Sequence, residues 1–344
     1  MDTLPFGTTD IKVTPVGLGT WAIGGWMWGG TDEKQSIETV RAAVDKGIGL
    51  IDTAPVYGFG RSEELVGKAL AGGLRDKVAL ATKVAMNWNL EQTEVWRDAS
   101  AARIEREVED SLQRLQTDRI DIYQVHWPDP VVPMEETAKA MEKLYTSGKI
   151  RAIGVSNFTP DQMDEFRKFA PLHSLQPPYN LFERGIEDDV LPYCQKHDLA
   201  TITYGGLCRG LLTGRIGRDT QFEGDDLRKS DPKFQGDRFE HYLSAVNELD
   251  QFARDYSQKT VLALALRWLI DRKGVTTALW GARRPDQLDP VTEIDGWSLD
   301  SDAMKEIDRI LDTHIKDPVG PEFMAPPSRE KPASKTRKVH SGTL

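Results

Sequence analysis

The segment IDIYQVHWPDPVVPMEETAKAMEKLYTSGKIRAIGVS (120–156) contains one complete unit of the architecture. It opens on an apolar run, Ile120–Val125, and closes on a second, Ile153–Ser156. Between them, Glu136–Ser147 places Ala140, Met141, Leu144 and Tyr145 on one face at helical spacing. Ser147-Gly148-Lys149 is turn punctuation before the second run. Strand, helix, strand in this order describes a parallel crossover unit.

The same alternation extends in both directions. Val16–Gly19, Leu50–Asp52, Val78–Thr82, Ser174–Gln176, Thr201–Tyr204 and Thr277–Trp280 are further candidate strands. Helical patterns fall between them. Ser100–Leu115 sets Ile104, Val108, Leu112 and Leu115 on one face, and Ser62–Leu70 opens on a start signal with Ser62 as N-cap. Asp161–Phe169, Glu187–His197, Glu240–Tyr256 and Thr260–Asp271 complete the set. Eight such strands, with about eight helices in roughly 310 residues, favour a single closed (β/α)₈ TIM barrel over an open doubly wound sheet. A short N-terminal hairpin is expected before it. The barrel domain is expected to span residues 1–316. Residues 317–344 read as a Pro-rich, basic, solvated tail, with Arg329, Lys331, Lys335, Arg337 and Lys338 as its basic run. Thr20–Thr31, Met86–Ala99 and Arg215–Phe239 are long irregular stretches and hence candidate site loops.

Composition excludes several classes. The 344 residues carry 44 Lys and Arg against 54 Asp and Glu, a net charge of −10 that disfavours nucleic-acid phosphates as partners. No apolar run reaches the ~20 residues of a membrane-spanning helix. The opening MDTLPFGTTD lacks the basic and apolar regions of a secretory signal. Two cysteines, Cys194 and Cys208, make no disulfide framework, and a cytoplasmic protein is expected. Six scattered histidines give no metal-ligand spacing, so no metal is expected. The acidic surface without a repeated apolar stripe leans toward a monomer.

In a barrel of this kind the chemistry sits where strands end. The second strand ends in Asp52, with Tyr57 five positions on; the third ends in Lys83; the fourth is followed by His126. These groups suit carbonyl chemistry. A tyrosine hydroxyl is a weak acid, and a nearby ammonium stabilises its phenolate and lowers its pKa. Lys83 can supply that charge, Asp52 can hold Lys83, and His126 can orient a carbonyl oxygen. Such a set polarises a carbonyl while a hydride arrives from a nicotinamide cofactor. Trp21, Trp26, Trp28, Trp88 and Trp127, five of nine tryptophans, fall in or near loops after strand ends. Trp21, Trp26, Trp88 and Trp127 are candidate walls of an aromatic substrate pocket, unsuited to strongly anionic substrates.

The sequence resembles the aldo-keto reductases over nearly its whole length. The resemblance rests on GLGTW (17–21), IDTAPVYGFGRSEELVGKAL (51–70), LATK (80–83), DIYQVHWPDP (121–130), KIRAIGVSNF (149–158), QPPYNLFER (176–184), CRGLLTGR (208–215) and WGARRPDQL (280–288). Within that family, FEGDDLRKSDPKF (222–234) and DPVGPEFMAPPSRE (317–330) are similar to the bacterial general-stress-protein branch. The resemblance implies an NADP(H)-dependent oxidoreductase that reduces aldehydes or ketones. Its catalytic tetrad maps onto Asp52, Tyr57, Lys83 and His126. Thr20, Trp21 and Asp52 would also contact the cofactor. Ser156, Asn157 and Gln176 would hold the nicotinamide carboxamide, and Tyr204 would stack on its ring. Leu207, Arg209 and Leu211 would line the pyrophosphate path. Gly281, Arg283 and Gln287 would meet the adenosine end, where Arg283 and Arg284 suit a 2′-phosphate on charge grounds. Many relatives carry Glu-Asn after this Gln, whereas this chain reads Asp289-Pro290-Val291. NADPH is the expected cofactor, and use of NADH stays open.

Two rival readings are weaker. Gly17-x-Gly19-x-x-Ala22 matches a dinucleotide fingerprint, but the Gly/Trp-rich Trp21–Gly30 does not continue as the helix that fingerprint needs. A cofactor-binding regulatory or redox-sensing subunit, like the potassium-channel β-subunits that resemble this family, is the alternative function. The intact tetrad favours turnover.

Overall fold

A computed structural model describes residues 1–329. Eight parallel strands close into a barrel in chain order. They are β1 (Val16–Gly19), β2 (Leu50–Asp52), β3 (Ala79–Val84), β4 (Ile120–Val125), β5 (Ile150–Ser156), β6 (Ser174–Gln176), β7 (Ala200–Thr203) and β8 (Thr277–Gly281). Register carries the ring around: Gly19 pairs with Asp52, Asp52 with Ala81, and Lys83 with Gln124. Closure comes where β8 pairs with β1, Gly281 opposite Gly19.

Alternation with period two explains what fills the interior. Leu50, Ala79, Ala81, Ile122, Ala152, Ala200, Ile202 and Leu279 form one buried cluster. Phe6, Ile11 and Val13 join it from the N-terminal hairpin, in which Leu4–Pro5 pairs with Lys12–Val13. The apolar layers therefore plug the amino-terminal end. Asp52 stands two residues beyond Leu50, Lys83 two beyond Ala81 and Gln124 two beyond Ile122. The same alternation thus turns three polar side chains inward at the carboxyl end.

Several expectations are revised. Helices Glu33–Asp45 and Ser301–His314 complete the outer ring, where the sequence reading had none. Ser62 is not an N-cap: Gly60 takes that place with φ 99°, and Ser62 lies inside the first turn of the helix Arg61–Leu70. Met86–Ala99 is not irregular throughout, since Met86–Trp88 and Val95–Arg97 pair as a hairpin. Trp21–Gly24 forms a single helical turn. Residues 317–329 do not trail into solvent. The Arg97 guanidinium donates to the Pro326 carbonyl at 2.9 Å, and Arg329 pairs with Asp98 and Asp129 at 3.2 and 3.0 Å. The remaining basic residues of the expected tail, Lys331, Lys335, Arg337 and Lys338, lie outside the described residues. Among the described residues no helix is long and apolar enough to cross a membrane.

Candidate active site

The inward polar layer brings the four predicted groups together. The Lys83 ammonium donates to Asp52 Oδ2 at 2.6 Å, to the Thr53 carbonyl at 2.9 Å and to Tyr57 Oη at 3.3 Å. Its three protons thus have three acceptors, one of them the tyrosine. Asp52 Oδ1 accepts from Gln176 Nε2 at 2.8 Å and from Gln124 Nε2 at 3.2 Å. Lys83, Asp52, Gln124 and Gln176 are all buried, so charge is paired and held without bulk water. The His126 ring meets the Tyr57 ring edge-on, with centroids 5.7 Å apart.

Burial sets the protonation states. Burial, aided by the Asp52 carboxylate, pushes the Tyr57 hydroxyl well above the usual phenol value. That reverses the expectation that Lys83 lowers it: desolvation and the nearby anion outweigh one ammonium contact. Burial lowers the Lys83 ammonium despite Asp52. Burial and the Lys83 charge hold His126 well below the usual imidazole value, so its ring is neutral. His126 Nδ1 is buried without a partner among the described residues.

Tyr57 sits on a turn whose geometry needs glycine. A Cβ on Gly24 would lie 2.5 Å from the Tyr57 carbonyl oxygen, and one on Gly58 only 2.2 Å from that of Gly24. The Trp21 loop and the Tyr57 turn therefore press backbone on backbone. Trp21 stacks on Tyr57 with centroids 5.9 Å apart and meets Trp28 edge-on at 5.7 Å.

Two cavities meet at Tyr57. A cleft of about 590 Å³ runs past Thr20, Trp21, Tyr204 and Leu207 to Gly281, Arg283 and Gln287. A second cavity of about 650 Å³ is walled by Trp21, Trp26, Trp127, His126, Ser156 and Asn157. Gln176 and Tyr204 border both. Ser156 Oγ donates to the Gln176 carbonyl at 2.7 Å, while the Asn157 amide donates to the His126 carbonyl at 3.0 Å. Tyr204 Oη donates to Asn157 Oδ1 at 2.9 Å.

Two predicted residues, Leu211 and Trp88, are placed differently, and a third, Arg209, lines the cleft with its charge engaged. Leu211 is fully buried in the outer core and lines neither cavity. The Arg209 guanidinium turns inward to Asp231 at 2.5 Å and to Glu183, which also accepts from Lys233 at 2.8 Å. It lines the cleft, as expected, but its charge is already held by two carboxylates. Trp88 lines neither cavity, because its ring is held between Phe59, 5.7 Å away, and the Arg103 guanidinium at 5.1 Å. The sequence reading also missed residues. Gln124 joins the polar layer, and period-two counting from Ile122 would have found it. Trp96, Phe323 and Pro326 line the second cavity, and Arg228 and Ser36 the cleft. Trp96 and Arg228 lie in the irregular stretches Met86–Ala99 and Arg215–Phe239 that the sequence marks as candidate site loops, whereas no local signal marks Ser36, Phe323 or Pro326.

The cleft fits an extended anionic dinucleotide. Arg283 donates to the carbonyls of Trp28 at 2.8 Å and Gly30 at 2.6 Å, and among the described residues it forms no salt bridge, with Asp226 the carboxylate that acts on it from nearby. Burial and the neighbouring Arg228 work against its charge, so an anion there is favoured. Gln287 Oε1 accepts the backbone N–H groups of Arg283 and Arg284, fixing the turn that presents them. A closed barrel with a buried Tyr–Lys–Asp cluster at its carboxyl mouth is the frame of an oxidoreductase. The chain belongs to the aldo/keto reductase family, whose sequence model matches residues 15–312. It is 60% identical over 332 residues to the aldo-keto reductase YhdN of Bacillus subtilis (strain 168), covering 96% of this chain and 100% of that one. It is 36% identical over 301 residues to the NADH-specific methylglyoxal reductase of Escherichia coli (strain K12), covering 84% and 91%. The glycerol dehydrogenase AKR11B4 from Gluconobacter oxydans superposes with a TM-score of 0.85 at 52% identity, over 94% of this chain and 99% of that one.

Proposed function

We propose that the protein is an NADP(H)-linked reductase of aldehyde and ketone carbonyls, with Tyr57 as the proton donor. One observation carries the reading: Tyr57 stands where the two cavities meet, with its hydroxyl on the Lys83 ammonium. A bound nicotinamide cofactor supplies or accepts the hydride. The protein's own groups manage the proton. Tyr57 holds its proton at neutral pH and donates it to the forming alkoxide. Lys83 stabilises the phenolate left behind, and Asp52 offsets the cost of a buried ammonium. Neutral His126 orients the carbonyl oxygen beside Tyr57. In the reverse direction Tyr57 is the base.

Gly281, Arg283 and Gln287 would hold the adenosine end of the cofactor, with Arg283 on a 2′-phosphate. Ser156, Asn157 and Gln176 lie in reach of the junction where the carboxamide would sit, and Tyr204 would face the nicotinamide ring. NADPH is the reading that Arg283 supports. Asp32 borders the same cleft, and the Escherichia coli relative is NADH-specific by name, so NADH is the competing cofactor. The names of the relatives, a methylglyoxal reductase and a glycerol dehydrogenase, place small carbonyls and polyols among the first substrates to assay. The test follows NADPH and NADH absorbance over a panel from small aldehydes to bulky ketones, wild type beside Tyr57→Phe. Turnover that vanishes in the variant supports the reading. Turnover that persists overturns it.

A further inference from the structure

A first helical turn clamps three strand ends beside the reacting group. The helix Arg61–Leu70 begins four residues after Tyr57. Ser62 N–H donates to the Tyr57 carbonyl at 3.1 Å, so the turn carrying the hydroxyl hangs on that helix. Ser62 Oγ donates to the Thr20 carbonyl at 3.1 Å, just past β1, and accepts from Thr53 Oγ1 at 2.9 Å, just past β2. The next residue, Glu63, reaches the third strand: its Oε1 accepts from Thr82 Oγ1 at 2.6 Å. Thr82 is the neighbour of Lys83 on β3, facing outward where Lys83 faces inward. Glu63 and Thr82 are both fully buried. A carboxylate without solvent at this depth is costly unless every lone pair has a purpose.

The remaining partners of Glu63 hold its other oxygen. Arg114 Nε, from the helix Ala101–Leu115, donates to Glu63 Oε2 at 2.6 Å. Arg114 also pairs with Glu107, which pairs in turn with Arg103 on the same helix. Tyr123 on β4 and Lys83 on β3 complete the ionisable groups around it. The helix cannot slide freely against its neighbour, because a Cβ on Gly67 would sit 2.5 Å from the Arg114 carbonyl oxygen. Glu63 is thus fixed on one side by Arg114 and fixes β3 on the other.

We propose that Glu63 is a positioning residue for the proton donor. Through Thr82 it locks the strand that carries Lys83, and through its own helix it locks the turn that carries Tyr57. The two locks meet in one carboxylate and hold Lys83 Nζ at 3.3 Å from Tyr57 Oη. This inference rests on the acid–base role of Tyr57 given above. Its signature differs from that of a merely stabilising bond. Loss of the Thr82 contact disturbs the ammonium–phenolate distance, which matters when the proton moves. It leaves the cleft residues that bind the cofactor where they are.

The experiment uses the full chain and four variants, Thr82→Val, Thr82→Ser, Glu63→Ala and Tyr57→Phe. For each, kcat, carbonyl KM, NADPH Kd and Tm are measured. Thr82→Val is near-isosteric and keeps the Arg114–Glu63 pair, so it folds even where Glu63→Ala does not. Thr82→Val is expected to lower kcat about tenfold, since small misplacements of reacting groups cost up to ~100-fold. NADPH Kd stays within about twofold, and Thr82→Ser restores kcat by returning the hydroxyl. A folded Glu63→Ala repeats the kcat loss. Wild-type kcat in Thr82→Val, with only Tm lowered, overturns the clamp. So does a kcat loss that Thr82→Ser does not restore. Tyr57→Phe separates the two levels: if it loses turnover while Thr82→Val keeps it, the clamp alone is wrong. If Tyr57→Phe keeps full turnover, the acid–base reading fails and the clamp falls with it.

Discussion

The cleft and the second cavity share Tyr57 yet are built from different kinds of chain. The cleft is framed mainly by strand ends and the turns directly after them, Gly19 to Trp21 after β1, Tyr204 to Leu207 after β7 and Gly281 to Arg283 after β8, with Ser36, Arg228 and Met324 added from farther segments. Its distinctive side chains are cationic, Arg209, Arg228, Arg283 and Arg284. The second cavity borrows its wall from elements that are not part of the barrel. Trp96 comes from the hairpin Val95–Arg97, and Phe323 with Pro326 from the C-terminal segment. Its side chains are mainly aromatic and apolar. A rigid frame suits a ligand common to many reactions, and an added wall suits a ligand that differs between proteins. Changes to the cleft should therefore alter cofactor use, and changes to the added wall should alter substrate choice alone.

The largest effect should come where the division breaks down. Tyr57 belongs to both cavities, so Tyr57→Phe removes the proposed proton donor without emptying either. The expected loss in kcat is ~10²–10⁴-fold, the usual contribution of a positioned acid. NADPH Kd, read by quenching of intrinsic fluorescence, should change little. A large loss of NADPH affinity would show the hydroxyl to be a binding group instead.

Arg283→Ala tests the cleft alone. A charge-assisted bond is worth about 1.5–3 kcal/mol, so NADPH Kd should rise ~10–100-fold. NADH Kd should rise far less, because it lacks the phosphate. Equal losses for both cofactors would make Arg283 a holder of the Trp28–Gly30 loop, whose carbonyls it already bonds. Trp96→Ala tests the added wall. It strips apolar contact from the second cavity and should raise KM for bulky aromatic carbonyls ~10-fold, the low end of the about 1.5–3 kcal/mol of a fully buried apolar side chain, since Trp96 is half-buried. KM for a two- or three-carbon aldehyde and Kd for NADPH should hold. A parallel rise for the small aldehyde would show that the hairpin shapes the catalytic layer itself.

The same division marks what the sequence could tell. Strand ends were readable because an apolar run followed by an ionisable group is a local pattern. Asp52, Lys83 and His126 stand in such positions, and the Tyr57 turn follows by five residues. Ile120–Val125 and Ser174–Gln176 come out with the bounds read from the sequence. The C-terminal part of the added wall was not readable, because nothing near residues 323–327 says they will cross the barrel mouth to meet Arg97. The Pro-rich composition of that segment resembles a solvated tail. Arg209 lines the cleft as expected, but the pairing of its charge was not readable. A guanidinium beside a phosphate path is chemically apt, but Glu183 and Asp231, distant in sequence, claim it first. Trp88 failed, as a loop tryptophan that Phe59 and Arg103 pull out of the cavity.

The smallest effect concerns pH, and it contrasts His126 at the catalytic mouth with His173, which precedes β6. Burial lowers the pKa of both in the folded protein, with the Lys83 charge adding to the effect on His126. An unfolded histidine titrates near ~6.5. As pH falls through that value the unfolded chain gains protons that the folded chain still refuses. Stability is then lost, down toward the folded pKa values. Above about 6.5 both states are neutral and the contribution is flat. Tm measured from about pH 8 to pH 5 should therefore decline on the acid side. His173 gives its Nδ1 to the Ile153 N–H at 3.0 Å, a bond that a protonated ring cannot accept. His126 Nδ1 has no such partner among the described residues, and its ring is kept neutral by burial and charge. His126→Gln should make the decline shallower without abolishing it, since His173 remains. A Tm that rises on acidification in the wild type, and loses that rise in His126→Gln, would mean that His126 folds protonated and that Lys83 does not govern its charge.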